Sequence, residues 1–348
     1  MTIKVLVVDD SALIRQLLGE IIRQSPDMQL VGVAQDAYVA RDMVNQFAPD
    51  VITLDIEMPK VDGLTFLDRL MKARPTPVLM ISTLTEAGAE ATLRALELGA
   101  VDFIAKPKLD VAQGIAEYSQ QILDKIRMAA TSHVRRARRG ESGPPANFVN
   151  SGTEKLIAIG ASTGGTEAIK EVLRELPANS PAIVITQHMP PGFTTTYAKR
   201  LDSICAVSVS EAKDGERVLP GHAYIAPGNL HMHIDKYGAD YRISLLDTER
   251  VSGHKPSVDV MFNSLAKCAG KNVLAIILTG MGKDGAIGMQ AIKAAGGVTL
   301  AQDEQSCVVF GMPKEAIRLG AVDSILPLEE ISRMALAELN RLGAGTRL

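Results

Sequence analysis

Two groups of chemically capable residues stand out, one in each half of the chain. In the first half, Asp9 and Asp10 close the apolar run KVLVV and Asp55 closes VITL. Ser82 and Thr83 follow VLMI, and Lys106 follows DFIA. Carboxylates brought together repel one another and raise their own pKa values unless a cation joins them. A hard divalent ion such as Mg²⁺ takes oxygen ligands and shares its site with phosphate, so Asp9, Asp10 and Asp55 form a candidate metal set. Asp55 can then act as the nucleophile that takes up a phosphoryl group. Lys106 would pair with the phosphoryl charge, and a hydroxyl from either Ser82 or Thr83 would hydrogen-bond to it. Pro107 is a candidate cis proline that would fix the lysine loop. A single Asp at a strand end is ordinarily a turn residue or a helix cap. Compatible residue types at the ends of several strands favour a site.

In the second half, LIAIGAS runs into TGGTEAIKEVL, which sets Ser162 in a strand-to-helix turn. Gly160, Ser162 and Gly164 match G-x-S-x-G, where small neighbours let the backbone fold tightly and expose the hydroxyl. A helix N-terminus just beyond favours developing negative charge. Gly-rich turns of this kind also cradle phosphates, but no Lys-Ser or Lys-Thr pair follows and the spacing is not G-x-G-x-x-G. A serine nucleophile needs a base, and the base needs an orienting acid. His188, after AIVITQ, and Asp284, in the loop after VLAIILTGMG, fall at strand ends as Ser162 does. The order Ser, His, Asp differs from the Ser, Asp, His of α/β-hydrolases, which points to a separate solution of the same chemistry. The backbone N–H of Thr163 is the first candidate oxyanion donor, and that of Met281, in the Gly280–Gly282 loop, is the second. Losing one such donor costs ~3–4 kcal/mol of transition-state stabilisation.

His222, His231, His233 and His254 compete as candidates. His231 and His233 share a strand face suited to a metal, but no third ligand is evident nearby, which favours exposed polar positions. His254, in SGHKPSVD, either lines a groove or caps a helix. His133 reads as solvated.

These residues need elements to position them. The first segment alternates buried, β-branched strands (4–8, 30–34, 51–54, 78–81, 102–104) with amphipathic helices (12–25, 37–47, 65–73, 87–98), and a helix over 112–128 closes it. Such βα alternation predicts a doubly wound parallel sheet, with the ligand site beyond the carboxyl ends of its strands. The pattern stops over 129–153, where prolines, glycines and the cluster Arg135, Arg136, Arg138 and Arg139 signal a linker. It resumes near 154 and continues to 348, with short strand-like pieces over 207–246 suggesting an antiparallel excursion. The expected architecture is α/β with two doubly wound parallel-sheet domains: a flavodoxin-like domain at 1–128 and a Rossmann-like domain at 154–348. With 348 residues, two domains is also the prior from length. A net charge of −3 argues against wholesale nucleic-acid binding. Three cysteines without C-x-x-C spacing indicate neither a disulfide framework nor a zinc site. No signal-peptide core or apolar run of spanning length is present, so a cytoplasmic location is expected.

VLVVDDSALIRQLL, DVITLDIEMPKVDGLTFL, PVLMIS and GAVDFIAKP resemble the response-regulator receiver domain. The resemblance implies phosphorylation of Asp55 by a histidine kinase, with Mg²⁺ held by Asp9, Asp10 and Asp55. It further implies that Ser82 and Phe103 report the modification by changing position. IAIGASTGGTEAI, ITQHMPPGFT, PGHAYIAPGNLHM, HKPSVDVMFNS, ILTGMGKDGA and TLAQDEQSCVVFGMPKEAI resemble the catalytic domain of chemotaxis protein-glutamate methylesterases. That likeness implies hydrolysis of glutamate γ-methyl esters on methyl-accepting chemoreceptors, and deamidation of certain glutamines, by a triad of Ser162, His188 and Asp284. It also implies that phosphorylation by the chemotaxis kinase moves the receiver off the active-site face, and that the linker is a candidate tether to a receptor tail. No cofactor is expected for the hydrolytic step. Two other readings remain for the experiment below: a non-enzymatic receiver scaffold, and a transcriptional regulator using the arginine cluster. The second is disfavoured by the absence of a helix-turn-helix pattern.

Overall fold

The computed structural model describes residues 2–83, 85–106, 114–132 and 154–344. The expected positions of Pro107, His133 and the arginine cluster, and most of the expected linker, lie outside them. The chain divides into two compact units, Met1–Arg139 and Gly140–Leu348.

In the first unit the elements are β1 (Ile3–Val8), α1 (Ala12–Arg23), β2 (Met28–Ala34), α2 (Ala37–Phe47) and β3 (Val51–Asp55). They continue as α3 (Gly63–Ala73), β4 (Val78–Ser82), α4 (Glu86–Glu97), β5 (Asp102–Ala105) and α5 (Gly114–Thr131). The strands form one sheet in the order β2-β1-β3-β4-β5, and every pairing is parallel. β3 and β4 are buried at every position, as strands covered by helices on both faces must be. Helix starts follow local capping chemistry. Asp36 accepts from the N–H groups of Tyr38 and Val39 at 3.0 Å, and Asp62 accepts from Thr65 N–H at 2.8 Å, which satisfies donors the helix cannot. α5 runs to Thr131, past the boundary expected at 128.

The second unit begins with β6 (Leu156–Ala161), α6 (Gly165–Arg174), β7 (Ala182–Gln187), α7 (Phe193–Asp202), β8 (Ser208–Glu211) and β9 (His222–Ile225). It continues with β10 (His231–Tyr237), β11 (Asp240–Leu246), α8 (Val258–Cys268), β12 (Val273–Ile277) and α9 (Ala286–Ala294). β13 (Val298–Gln302), α10 (Met312–Arg318), β14 (Ser324–Leu326) and α11 (Leu328–Ala344) complete it. Its main sheet has the order β14-β13-β12-β6-β7-β9-β8. The chain starts at β6, winds outward through β7, then returns to β12 on the other side. The strand order therefore reverses beside β6, and the crevice at the carboxyl ends of β6 and β12 is the switch point where doubly wound folds bind ligands.

The antiparallel expectation over 207–246 holds only for its second half. β8 and β9 run parallel and extend the main sheet, whereas β10 and β11 form a separate antiparallel hairpin. Proline and glycine breaks mark where a strand stops but not whether the chain returns by a hairpin or a crossover. The hairpin buries Met232, Ile234, Tyr241 and Ile243 in the domain core, and Ile234 N–H donates to Ser264 Oγ on α8 at 3.0 Å.

Candidate functional site

In the first unit, Asp9 follows β1, Asp55 ends β3 and Lys106 follows β5. One oxygen from each of Asp9, Asp10 and Asp55 lies within 4.8 Å of the others. Ser11, the cap of α1, donates its N–H to Asp9 Oδ1 at 2.8 Å, and Arg15 holds the turn by donating to the carbonyls of Asp9 and Asp10. The Lys106 ammonium pairs with Asp55 Oδ2 at 2.8 Å and Asp9 Oδ2 at 3.4 Å. Neither oxygen has a well-angled hydrogen bond among the described residues, and both are buried. Burial pushes the Asp55 carboxyl up to about 6, with Lys106 opposing and the charge of Asp9 adding to the rise. Burial also raises Asp9. Two buried carboxylates with unfilled lone pairs beside an exposed third make an acidic cluster of the kind that holds Mg²⁺, since such a cation satisfies the oxygens and removes the repulsion.

The structure brings Asp9, Asp10, Asp55 and Lys106 together but turns the Ser82 hydroxyl elsewhere. Ser82 and Thr92 hydroxyls lie 2.6 Å apart, and both reach the carbonyl of Gly88 on α4. Ser82 and Thr83 line an open cleft with Asp10 and Asp55. Phe103 is buried on β5, with the Lys125 ammonium 5.5 Å from its ring centre.

In the second unit, Ser162 follows β6, His188 follows β7 and Asp284 lies in the loop after β12. These are three adjacent strands of the sheet. His188 N–H donates to the carbonyl of Ala161 at 3.1 Å, and Ser162 N–H to that of Thr279. Gln187 Nε2 donates to the carbonyls of Ser162 and His188. The backbone differs from a strained nucleophile elbow. Ser162 is not among the residues with positive φ, and Gly164 makes the turn two residues later at φ 77°. A Cβ there would also lie 2.7 Å from Val308 Cβ. Gly280 abuts the serine so closely that a Cβ would sit 2.7 Å from Ser162 Cβ and 3.1 Å from its nitrogen. Met281 follows Gly280 in this loop, and its side chain is 41% exposed.

His188 Nε2 lies 2.8 Å from Asp284 Oδ2. A carboxylate there favours the proton on Nε2 and leaves Nδ1 able to accept one. Nδ1 is buried and has no hydrogen bond among the described residues. Asp284, 1% exposed, also accepts from Ser257 Oγ at 2.7 Å, Val258 N–H at 2.7 Å and Asp259 N–H at 3.1 Å. It thus lies against the N-terminus of α8, where backbone donors favour negative charge. Burial alone would raise its pKa, but His188, Ser257 and Val258 hold it down to about 2.

A family model described as CheB methylesterase matches residues 157–335, and one described as response regulator receiver domain matches residues 5–116. Protein-glutamate methylesterase/protein-glutamine glutaminase 2 of Pseudomonas aeruginosa is 61% identical over 349 residues, covering 100% of both chains. Protein-glutamate methylesterase/protein-glutamine glutaminase of Nitrosomonas europaea is 57% identical, covering 99% of this chain and 98% of its own. The Thermotoga maritima CheB methylesterase catalytic domain is similar in structure at TM-score 0.52 and 40% identity, covering 53% of this chain and 98% of that domain. The chain belongs to the CheB methylesterase family.

Several residues around Ser162, His188 and Asp284 carried no strong sequence signal. His254 stacks on His188 with ring centres 3.7 Å apart and planes 8° from parallel. Of the two readings open for it, the helix cap fails, because Ser257 is the cap of α8. His254 is presented by the tight turn Val251–His254, in which Ser252 and Gly253 both have positive φ. The pattern S-V-D before an apolar run is a helix-start signature, and it marks Ser257 as the cap of α8 without revealing its reach to Asp284. The expectation that His231 and His233 are exposed fails for His231. Its side chain is fully buried because β10 packs beneath α8, and both its ring nitrogens are engaged. His233 lies 3.3 Å from Asp235. His222 pairs with Ser210 at 2.8 Å.

Proposed function

We propose that Ser162, His188 and Asp284 are the catalytic triad of this protein-glutamate methylesterase and protein-glutamine glutaminase, acting in chemotactic adaptation on methyl-accepting receptors. The observation that supports it most directly is the His188–Asp284 contact at 2.8 Å on the strand next to Ser162. Ser162 Oγ attacks the γ-carbonyl carbon of a methylated glutamate as His188 Nδ1 takes its proton. The Asp284 carboxylate stabilises the imidazolium that forms. The backbone N–H groups of Thr163 and Met281 receive the oxyanion. Collapse expels methanol, which takes the proton from His188, and leaves an acyl-serine. Water, deprotonated by His188, attacks the acyl carbon, and collapse breaks the bond to Ser162 Oγ, which takes the proton back from His188 as the glutamate side chain is released. With a glutamine substrate the leaving group is ammonia.

In the same reading the chain comprises a receiver at 1–128, a linker at 129–153 and a catalytic domain at 154–348. Asp55 takes a phosphoryl group from a chemotaxis histidine kinase, and Mg²⁺ held by Asp9, Asp10 and Asp55 would neutralise the phosphoryl oxygens. Lys106 pairs with the phosphoryl group once it is bound to Asp55. Ser82 leaves Thr92 to hydrogen-bond it, with Thr83 as the neighbouring hydroxyl, and Phe103 shifts with the change. Phosphorylation raises esterase activity. The enzyme works in the cytoplasm; no helix among the described residues is long and apolar enough to cross a membrane.

Two experiments test the reading. Methylated receptor membranes incubated with the protein should release methanol, and Ser162→Ala should reduce release to background. Equal release from both would sink the assignment of Ser162, and background release from both would favour a receiver scaffold without esterase chemistry. Asp55→Asn should accept no label from a small phosphodonor with Mg²⁺, and undiminished labelling would refute the receiver site. Because that change also removes one of two buried, mutually repelling charges, it should stabilise the metal-free protein by about 1–2 kcal/mol, read by thermal denaturation.

A further inference from the structure

The catalytic aspartate is held by a segment that is itself held from behind. Of the four groups donating to Asp284, three belong to consecutive residues, namely Ser257 Oγ and the N–H groups of Val258 and Asp259. Ser257 Oγ also accepts from Val260 N–H at 3.4 Å as the cap of α8, so its own proton is left for Asp284. The backbone N–H of Ser257 donates to His231 Nδ1 at 3.1 Å. His231 Nε2 lies 2.9 Å from the carbonyl oxygen of Glu249.

These partners assign both ring nitrogens. A backbone N–H can only donate, so Nδ1 carries no proton. A carbonyl can only accept, so Nε2 does. His231 is therefore the neutral Nε2–H tautomer, with no solvent exposure and no alternative arrangement that keeps both bonds. We propose that His231 is a positioning residue of the hydrolytic site. Its unprotonated Nδ1 pins the start of α8, and this fixes the Ser257, Val258 and Asp259 donors on Asp284 and so the orientation of the His188 ring. His231 touches no reacting atom and exchanges no proton. It acts through geometry, and small misplacements of a catalytic group cost up to about 10²-fold in rate. This rests on the triad reading above and extends it outward to the β10–β11 hairpin.

The test uses the full chain and methylated receptor membranes. In His231→Asn the side-chain oxygen stands near the position of Nδ1 and can accept from Ser257 N–H. In His231→Gln the polar group reaches instead toward the position of Nε2. The expected result is a kcat roughly 10–100-fold lower for His231→Gln at nearly unchanged KM, with His231→Asn recovering most of the loss. Ser257→Ala should lower kcat similarly, and the double variant His231→Gln/Ser257→Ala should lose little more than either single variant, because both act through one chain of contacts. ¹⁵N NMR of the unsubstituted protein should show His231 as a neutral Nε2–H imidazole at neutral pH. This readout stands even if a variant fails to fold. Wild-type kcat in a folded His231→Gln, equal losses in the Asn and Gln variants, or an imidazolium or Nδ1–H signal from His231 would each overturn the proposal. A Ser162→Ala protein with full activity would overturn the triad reading itself, a result separable from all of these.

Discussion

At the start of α8 two neighbouring carboxylates are treated in opposite ways. Asp284 receives four donors and stays ionised. Asp259 is nearly as buried, accepts from Gly288 N–H at 2.7 Å and faces the charge of Asp284. Burial, with Asp284 adding, pushes it up to about 6. A carboxyl raised on folding favours the folded state below its ordinary range near pH 4, and that advantage is lost as pH rises through 6. Asp259→Asn resembles the protonated form and can still accept from Gly288. It should therefore stabilise the protein by about 2 kcal/mol above pH 6, with the gain vanishing below pH 4. Urea denaturation across that range measures it, and a pH-independent gain would contradict the account. The depressed Asp284 works in the opposite sense, with its contribution present above pH 4 and lost toward pH 2.

Between elements, the site depends on how closely β6 meets α8. Gly160 near the end of β6 has no room for a side chain, since a Cβ would lie 2.3 Å from Val258 Cγ1 and 3.2 Å from Phe262 Cζ. Val258 opens α8 and gives its N–H to Asp284. Gly160→Ala should thus push the helix start away from the strand, costing about 1–3 kcal/mol of stability. It should also lower kcat by roughly 10-fold or more through misplacement of Asp284. Denaturation and methanol-release kinetics check the two effects, and a stability loss without a kcat loss would show that the placement of Asp284 by the helix start does not govern activity. The receiver has a matching contact. A Cβ on Gly63, at the start of α3, would lie 2.1 Å from the carbonyl of Asp55.

For the molecule as a whole, each of the two compact units gathers chemically capable residues at the carboxyl ends of its strands, an acidic cluster in the first and the His188–Asp284 pair in the second. If the receiver restrains the hydrolase, a fragment beginning near Gly152 should release methanol faster than the unphosphorylated full chain. A fragment that is folded but inactive would show that the receiver is not mainly an inhibitory cover. The net charge of −3 accords with a substrate that is a protein side chain rather than a polyanion.

The convergence of most residues of both candidate sites was legible before folding, for an architectural reason. In doubly wound sheets the carboxyl ends of the strands share one edge, so residues that close apolar runs are neighbours however far apart they lie in the chain. Asp9, Asp55, Lys106, Ser162, His188 and Asp284 all follow that rule. The tertiary structure alone decided the direction of β8 and β9, the turning of the Ser82 hydroxyl toward Thr92, the stack of His254 on His188 and the burial of His231. His231 and Ser257 are 26 residues apart and meet only because the β10–β11 hairpin packs beneath α8. Periodicity determines which face of an element is apolar, but which polar atoms face each other across two packed elements depends on their register, and register is settled only when the core is assembled.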